Sequence, residues 1–155
     1  MSKQATMPVA EHLYDLAIQI TGVEEFGIRF EDLVSGKVTL PPQGARFDLT
    51  FAGAVKGEKI KGSIVGVDHA VVRGDGRFDL NLSAVITTDD GEKIDLRGGG
   101  IFGMPDPKTG YAQIRADVQL TAFSPKYAWV NPLVVWETGA SFVPKGEIRL
   151  QGYAA

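Results

Sequence analysis

Hydrophobic and polar residues alternate along most of this chain, which is the pattern of β-strands that bury one face. The clearest case is the segment 77–97, RFDLNLSAVITTDDGEKIDLR, in which two alternating arms flank Asp89-Asp90-Gly91. Asp-Gly between two alternating arms is a strong signal for a β-hairpin. On the first arm the even positions from 78 to 86 are apolar, and the opposite face carries Asp79, Asn81, Ser83, Val85 and Thr87. The segment therefore predicts a hairpin with one apolar face and one face of short, mostly polar side chains.

Similar alternation recurs along the rest of the chain, and no segment predicts a long helix. Residues 10–20 fit either a helix or a strand, and we favour the strand because everything downstream is strand-like. Further strands are predicted at 45–54, 59–65, 69–73, 111–121, 127–138 and 147–153. Two short alternating pieces lie at 26–30 and 36–40, and Pro41-Pro42 makes the end of the second a loop or an edge. About nine strand candidates at this spacing are typical of an antiparallel sandwich or barrel. We favour a barrel because closure leaves no sheet edges.

The fold prediction is therefore an all-β chain: a single closed antiparallel up-and-down β-barrel of about eight to nine strands. Residues 1–9 are expected to form a flexible tail, and residues 10–155 one barrel domain.

The composition is that of an ordinary globular domain. The 155 residues and 16.7 kDa fit one domain, and 44% hydrophobic with 23% charged residues makes disorder unexpected. A net charge of −3 gives no basic footprint for nucleic acid. No apolar run is long enough to span a bilayer, and the first residues carry no apolar signal segment. We expect a cytoplasmic protein that binds neither nucleic acid nor membrane.

Few residues are suited to metal or nucleophile chemistry. The chain has no cysteine and only two histidines, His12 and His69, far apart in sequence. The glycine-rich segment 97–103 lacks the lysine and the following helix of a phosphate-binding loop. We expect no metal site and no cofactor.

The polar face of the hairpin has two interpretations. It is either a wet outer face or part of a polar barrel interior that holds one small ligand. In the second interpretation Arg115 and Asn131 also occupy the lumen. If 127–138 is one strand, one face carries Tyr127, Trp129, Asn131, Leu133 and Val135. Aromatic rings with a single amide suit a ligand pocket, although a core Trp with Asn131 bonded to backbone explains the same pattern.

Several of these segments together resemble a known family. They are 68–76 (DHAVVRGDG), 88–91 (TDDG), Arg97, Arg115 and 127–131 (YAWVN), in the order and spacing of the domain of unknown function 3237 family, also called uncharacterised protein family 0311. The resemblance implies a closed antiparallel β-barrel with a central pocket, a homo-oligomer (dimer or higher), and a small-molecule ligand. Most members have no assigned activity, and some fungal relatives are linked to intramolecular hydroalkoxylation.

Some positions depart from the family pattern. His69 stands where Trp is usual, Asn81 and Ser83 stand where Asp and Arg are common, and Thr121 replaces a Glu. The retained positions are Asp68, Arg97, Arg115, Trp129 and Asn131.

The leading hypothesis is a cofactor-free acid–base enzyme of the cyclase, isomerase or lyase type, acting on an aromatic or apolar substrate. Asp68 or His69 is the predicted base, Arg97 and Arg115 the partners of a developing oxyanion, and Asn131 an orienting donor. The predicted substrate contacts are Trp129, Tyr127, Asn81 and Asp79. The alternatives are a non-catalytic carrier or sensor barrel for a small hydrophobic ligand, and a structural barrel with a filled core.

Overall fold

The alternating segments form eight antiparallel strands that close into a barrel. The computed structural model describes residues 3–155. The strands are β1 (Glu11–Glu25), β2 (Ala45–Lys56), β3 (Lys61–Val72), β4 (Phe78–Thr88), β5 (Lys93–Phe102), β6 (Tyr111–Ala122), β7 (Val134–Phe142) and β8 (Glu147–Ala154). Each strand is hydrogen-bonded to the next, and β8 pairs with β1. The prediction of an up-and-down barrel is confirmed.

Alternation assigns each strand one inner and one outer face. On β6 the even residues from Ala112 to Leu120 are buried and the odd residues from Tyr111 to Gln119 are exposed. The hairpin β4–β5 behaves in the same way, so its short polar face lies on the outside of the barrel. Of the two interpretations of that face, the wet outer surface is correct.

The two ends of the barrel are filled differently. At one end, large buried side chains such as Ile60, Ile86 and Leu120 fill the interior, and a 3₁₀ helix at Pro125–Val130 packs its Tyr127 and Val130 inward. At the other end the β1–β2 connection carries a short helix, α1 (Phe30–Val34), and this end holds a cavity.

The cap formed by α1 is held by aromatic contacts. The Phe30 ring meets the Phe47 and Phe78 rings edge-on at centroid distances of 5.2 and 6.1 Å. Its backbone N–H donates to the Glu25 carboxylate. Such edge-to-face pairs add roughly 0.5–1.5 kcal/mol to the burial of the rings. The short alternating pieces at 26–30 and 36–40 are not strands, because they lie on either side of α1 in the β1–β2 connection.

Two other predicted boundaries change. The stretch 127–138 is not one strand, because Pro125 begins the 3₁₀ helix and Pro132 lacks the N–H that a ladder requires, so β7 starts at Val134. The pieces 59–65 and 69–73 belong to one strand, β3. The strand interpretation of residues 10–20 is confirmed by β1.

The N-terminal residues from 3 to 10 have no regular structure and are exposed, while the first two positions of the predicted tail lie outside the described residues. Within the described part of the chain, no helix has the length and apolarity needed to cross a membrane.

Candidate functional site

A cavity of about 290 Å³ occupies the half of the barrel nearest α1. This is near the lower end of the roughly 300–1,000 Å³ typical of small-molecule sites. Its wall is formed mainly by Leu, Ile and Phe side chains, including the rings of Phe30, Phe51, Phe78 and Phe102. A ligand-sized space contradicts the filled-core alternative.

Three polar side chains interrupt this apolar wall: Asp68 on β3, and Glu137 and Ser141 on β7. All three residues are buried, with at most 5% of their surface exposed. Among residues 3–155, no Lys, Arg or His side chain lines the cavity. A buried carboxyl without a cationic partner resists ionisation, because the apolar surroundings disfavour its charge.

Glu137 is held by Tyr14, whose side chain reaches it from β1 across the intervening strand β8. The Tyr14 hydroxyl on β1 donates to Glu137 Oε2 at 2.7 Å. Between them on β8 lies Gly152, which pairs with both residues across the sheet. A Cβ at Gly152 would come within 2.3 Å of the Tyr14 ring, so only glycine lets the ring pass over β8.

Burial dominates the proton affinity of this pair. It raises the pKa of Glu137 from 4.5 to about 7, and the Tyr14 hydrogen bond opposes part of that rise. Burial, and then the neighbouring Glu137, hold the pKa of Tyr14 well above its ordinary value. Glu137 is therefore able to gain or lose a proton near neutral pH while Tyr14 stays a donor.

The Asp68 carboxylate accepts a backbone N–H that the β3–β4 ladder leaves without a backbone carbonyl partner. The β3–β4 ladder pairs Asp68 with Leu82 and resumes at Val71 with Asp79, skipping the positions between them. In this gap the Asn81 backbone N–H donates to Asp68 Oδ1 at 2.8 Å. Burial raises the pKa of Asp68 to about 6, and the Asn81 N–H followed by the nearby His69 counteract it.

The two carboxyls face the cavity from opposite walls, because β3 and β7 are four strands apart in either direction around the barrel. Within residues 3–155, the hydrogen bonds that the protein makes to the two carboxyls use Asp68 Oδ1 and Glu137 Oε2, and they leave the second oxygen of each carboxyl for a ligand. Each wall therefore offers a bound substrate at least one free polar atom.

Of the site residues predicted from the sequence, only Asp68 lines the cavity. Arg115 is exposed on the outer face of β6, and Arg97 projects from β5 beside Asp95 with 68% of its side chain exposed. The prediction that Arg115 and Asn131 occupy the lumen is wrong, because the inner positions of β6 are the even ones, from Ala112 to Leu120.

Asn131, Trp129 and Tyr127 belong to the 3₁₀ region at the filled end. The Asn131 amide bonds the Ala122 backbone at both ends, accepting its N–H at 2.7 Å and donating to its carbonyl at 3.0 Å. Trp129 is 36% exposed, and Tyr127 is buried with its hydroxyl donating to Asp90 at 2.8 Å. Asn131 and Tyr127 attach the 3₁₀ region to the barrel through these bonds. None of the three residues is in the cavity lining, contrary to the predicted substrate contacts of Trp129 and Tyr127 and the predicted orienting role of Asn131.

The remaining predicted residues sit on the outer surface of β3 and β4. His69 Nδ1 is 2.9 Å from Asp48 Oδ1, and Asp79 is paired with Arg73. Asn81 contributes its backbone N–H to Asp68, and its side chain is exposed.

Glu137, Tyr14 and Ser141 are the site residues that sequence reasoning missed. A usable signal exists in the alternation of Val135, Glu137, Gly139 and Ser141, which puts a carboxyl and a hydroxyl on the inner face of a strand. The predicted strand 127–138 already places Glu137 on the same face as Tyr127 and Val135, but it ends before Ser141. Among residues 3–155, no group of three or more His, Asp or Glu side chains is arranged to hold a metal ion.

Comparisons with known proteins agree with this architecture. A UPF0311 protein of Clostridium acetobutylicum is 27% identical over 74% of this chain and 75% of its own. A β-barrel-like protein of Acinetobacter baumannii has a TM-score of 0.76 at 21% identity, covering 97% of this chain and 99% of that chain. An enzyme from Penicillium herquei has a TM-score of 0.69 at 16% identity, covering 99% of each chain.

The likenesses to solved structures show the fold alone. The family model described as protein of unknown function (DUF3237) matches residues 37–153, which is most of the chain. The chain therefore belongs to the DUF3237 family of proteins of unknown function.

Proposed function

We propose that this barrel is a small-molecule enzyme that catalyses proton-transfer chemistry, namely cyclisation, isomerisation or addition–elimination, on a mainly apolar substrate. The observation that carries the proposal is the pair of buried carboxyls, Asp68 and Glu137, on opposite walls of an otherwise apolar cavity. Strongly perturbed carboxyls in a cavity are typical of catalytic acids and bases.

Glu137 is the proposed principal acid–base group. A general acid or base is most effective when its pKa lies near the working pH, and burial brings the pKa of Glu137 to about 7. Tyr14 holds one carboxyl oxygen in place, which leaves the other for the substrate. Asp68 is the proposed second group, fixed by the Asn81 backbone N–H.

Opposite walls allow one carboxyl to remove a proton while the other supplies one. In an intramolecular addition of a hydroxyl to a conjugated alkene, the oxygen forms a bond to one alkene carbon and its proton passes to a carboxylate. The adjacent carbon receives a proton from the other carboxyl, so the product is an isomer of the substrate. A positioned acid or base contributes roughly 10²- to 10⁴-fold to such a rate.

The test uses three uncharged probes, one for each reaction class. These are ortho-hydroxyphenyl propenyl ketone for ring closure, a β,γ-unsaturated cyclic ketone for isomerisation, and a β-hydroxyketone for loss of water. We expect conversion of at least one probe, with an enantiomerically enriched chromanone if it is the ring closure. Glu137→Gln and Asp68→Asn should each lower the rate by about 10² or more, whereas Asp117→Asn, at an exposed carboxyl on the outer face of β6, should not.

The proposal is overturned if no probe reacts faster than with the double variant Glu137→Gln/Asp68→Asn, provided that both proteins fold. The second candidate, a carrier or sensor barrel, is favoured by the predominantly apolar wall of the cavity. It predicts that the same probes bind without conversion. Because Trp129 and Trp136 both lie outside the cavity lining, binding is measured by isothermal titration calorimetry and not by tryptophan fluorescence.

A further inference from the structure

The cavity has an unusual charge balance, which restricts the molecules it can hold. Two carboxyls project into it, and in the part of the chain that the structure describes no side chain with a positive charge lines it. Each carboxyl has a protein hydrogen bond on one oxygen only, from the Asn81 N–H or the Tyr14 hydroxyl. The positive charge and the hydrogen-bond donors that would balance these carboxyls therefore have to come from the ligand.

From these contacts we propose that the substrate carries a basic nitrogen on an apolar body, and that organic anions are excluded. This inference rests on the same cavity as the proposed function and names its substrate class. An ammonium group would supply the positive charge and the N–H donors that the free carboxyl oxygens lack. A carboxylate would add a third acid to a site without a cation, which is strongly unfavourable in an apolar environment.

The aromatic part of the wall fits the same ligand class. The Phe30, Phe47, Phe78 and Phe102 rings form a continuous cluster, with neighbouring centroids 5.2 to 6.2 Å apart, and three of these rings line the cavity. Aromatic faces accept both hydrocarbon groups and ammonium groups, the latter through the ring quadrupole. An amine with a small aromatic or branched body would therefore find partners for both of its parts.

The protonation states of Asp68 and Glu137 provide a second readout, which is the pH dependence of ligand affinity. The titratable and charged groups around the carboxyls are Tyr14 beside Glu137, and His69 and Asp48 on the outer side of the wall near Asp68. Burial raises the pKa of both carboxyls, to about 6 and about 7, so both are largely protonated at pH 5 and mostly ionised at pH 8. An ammonium ligand favours the ionised forms, and its affinity should therefore increase between these two pH values.

The experiment compares three probes of nearly equal shape: phenethylamine, phenethyl alcohol and phenylacetate. Their affinities for the full chain are measured by isothermal titration calorimetry at pH 5 and pH 8. We expect the amine to bind best at pH 8, the alcohol to bind more weakly with little pH dependence, and phenylacetate to give no detectable heat.

Glu137→Gln or Asp68→Asn should weaken amine binding by about tenfold or more, because a charge-assisted hydrogen bond is lost. Alcohol binding should change by less than about threefold in the same variants, and Asp117→Asn should leave all three affinities unchanged.

The inference is overturned if phenylacetate binds as tightly as the amine, if neither carboxyl variant affects amine binding, or if none of the three binds. Its failure is distinct from failure of the proposed function. Amine binding without turnover of any neutral probe would support the charge selectivity and reject catalysis. Turnover of a neutral probe without a preference for the amine would support catalysis and reject the charge selectivity.

Discussion

Replacing Glu137 by Gln should remove a large pH dependence from the stability of the barrel. In the unfolded chain a glutamate titrates near 4.5, whereas burial in the folded protein raises the pKa of Glu137 to about 7. Below pH 4.5 the residue is protonated in both states. Between pH 4.5 and 7 the unfolded chain releases the proton while the folded protein keeps it, so the free energy of unfolding falls as the pH rises.

The magnitude follows from the difference between the two pKa values. Each pKa unit corresponds to roughly 1.4 kcal/mol, so a rise from 4.5 to about 7 corresponds to about 3 kcal/mol, reached only above pH 7. This is a large part of the roughly 5–15 kcal/mol that stabilises a typical domain. The Gln side chain has nearly the same shape, does not titrate, and can still accept the Tyr14 hydroxyl through its amide oxygen.

The assay is urea denaturation followed by circular dichroism between pH 4 and pH 8, for the wild type and Glu137→Gln. The free energy of unfolding of the variant, minus that of the wild type, should increase by about 3 kcal/mol from pH 4 to pH 8. Glu147→Gln, at an exposed glutamate on β8, is the matched control and should show no such trend. Equal pH profiles for Glu137→Gln and the wild type would refute the reasoning.

Three further substitutions test the contacts around the site and the filled end. Tyr14→Phe keeps the ring and removes the donor, so it should lower the free energy of unfolding at pH 8 by about 1.5–3 kcal/mol, and by less at pH 5, where Glu137 is largely protonated. Gly152→Ala should lower the free energy of unfolding by about 1–3 kcal/mol, because the added methyl group meets the Tyr14 ring. The control Gly74→Ala places its methyl group where no atom lies within 4 Å and should have little effect. Thermal unfolding measures both variants. Asn131→Ala should lower the free energy of unfolding by about 1 kcal/mol in urea denaturation through its two lost hydrogen bonds and leave ligand affinity unchanged by calorimetry.

The barrel was largely predictable because strand periodicity is a local property. Asp89-Asp90-Gly91 between alternating arms predicted the β4–β5 hairpin, and Gly91 adopts the positive φ of 88° that such a turn requires. The α1 cap was missed for the opposite reason. Its five residues carry no helical period of their own, and the segment is held by the contacts of Phe30 with rings from distant strands.

The site was only partly predictable because it depends on which face of each strand points inward. Asp68 was identified, but Arg115 was placed in the lumen because short polar residues on the hairpin suggested a wet interior. The odd face of 127–138 was the correct inner face for β7, but the aromatic residues at 127 and 129 drew the prediction to the 3₁₀ region and away from Glu137. The Tyr14–Glu137 contact joins residues 123 positions apart and needs Gly152 on the strand between them, a relation that no local pattern contains.

The most direct test of the account is a ¹³C NMR titration of the side-chain carboxyls, with Glu137 and Asp68 assigned through Glu137→Gln and Asp68→Asn. The buried cavity predicts midpoints near pH 7 for Glu137 and near pH 6 for Asp68, well above those of exposed carboxyls such as Glu147. Midpoints near pH 4 for both residues would mean that water or a cation already satisfies them, and would contradict a buried, carboxyl-bearing cavity as the functional site.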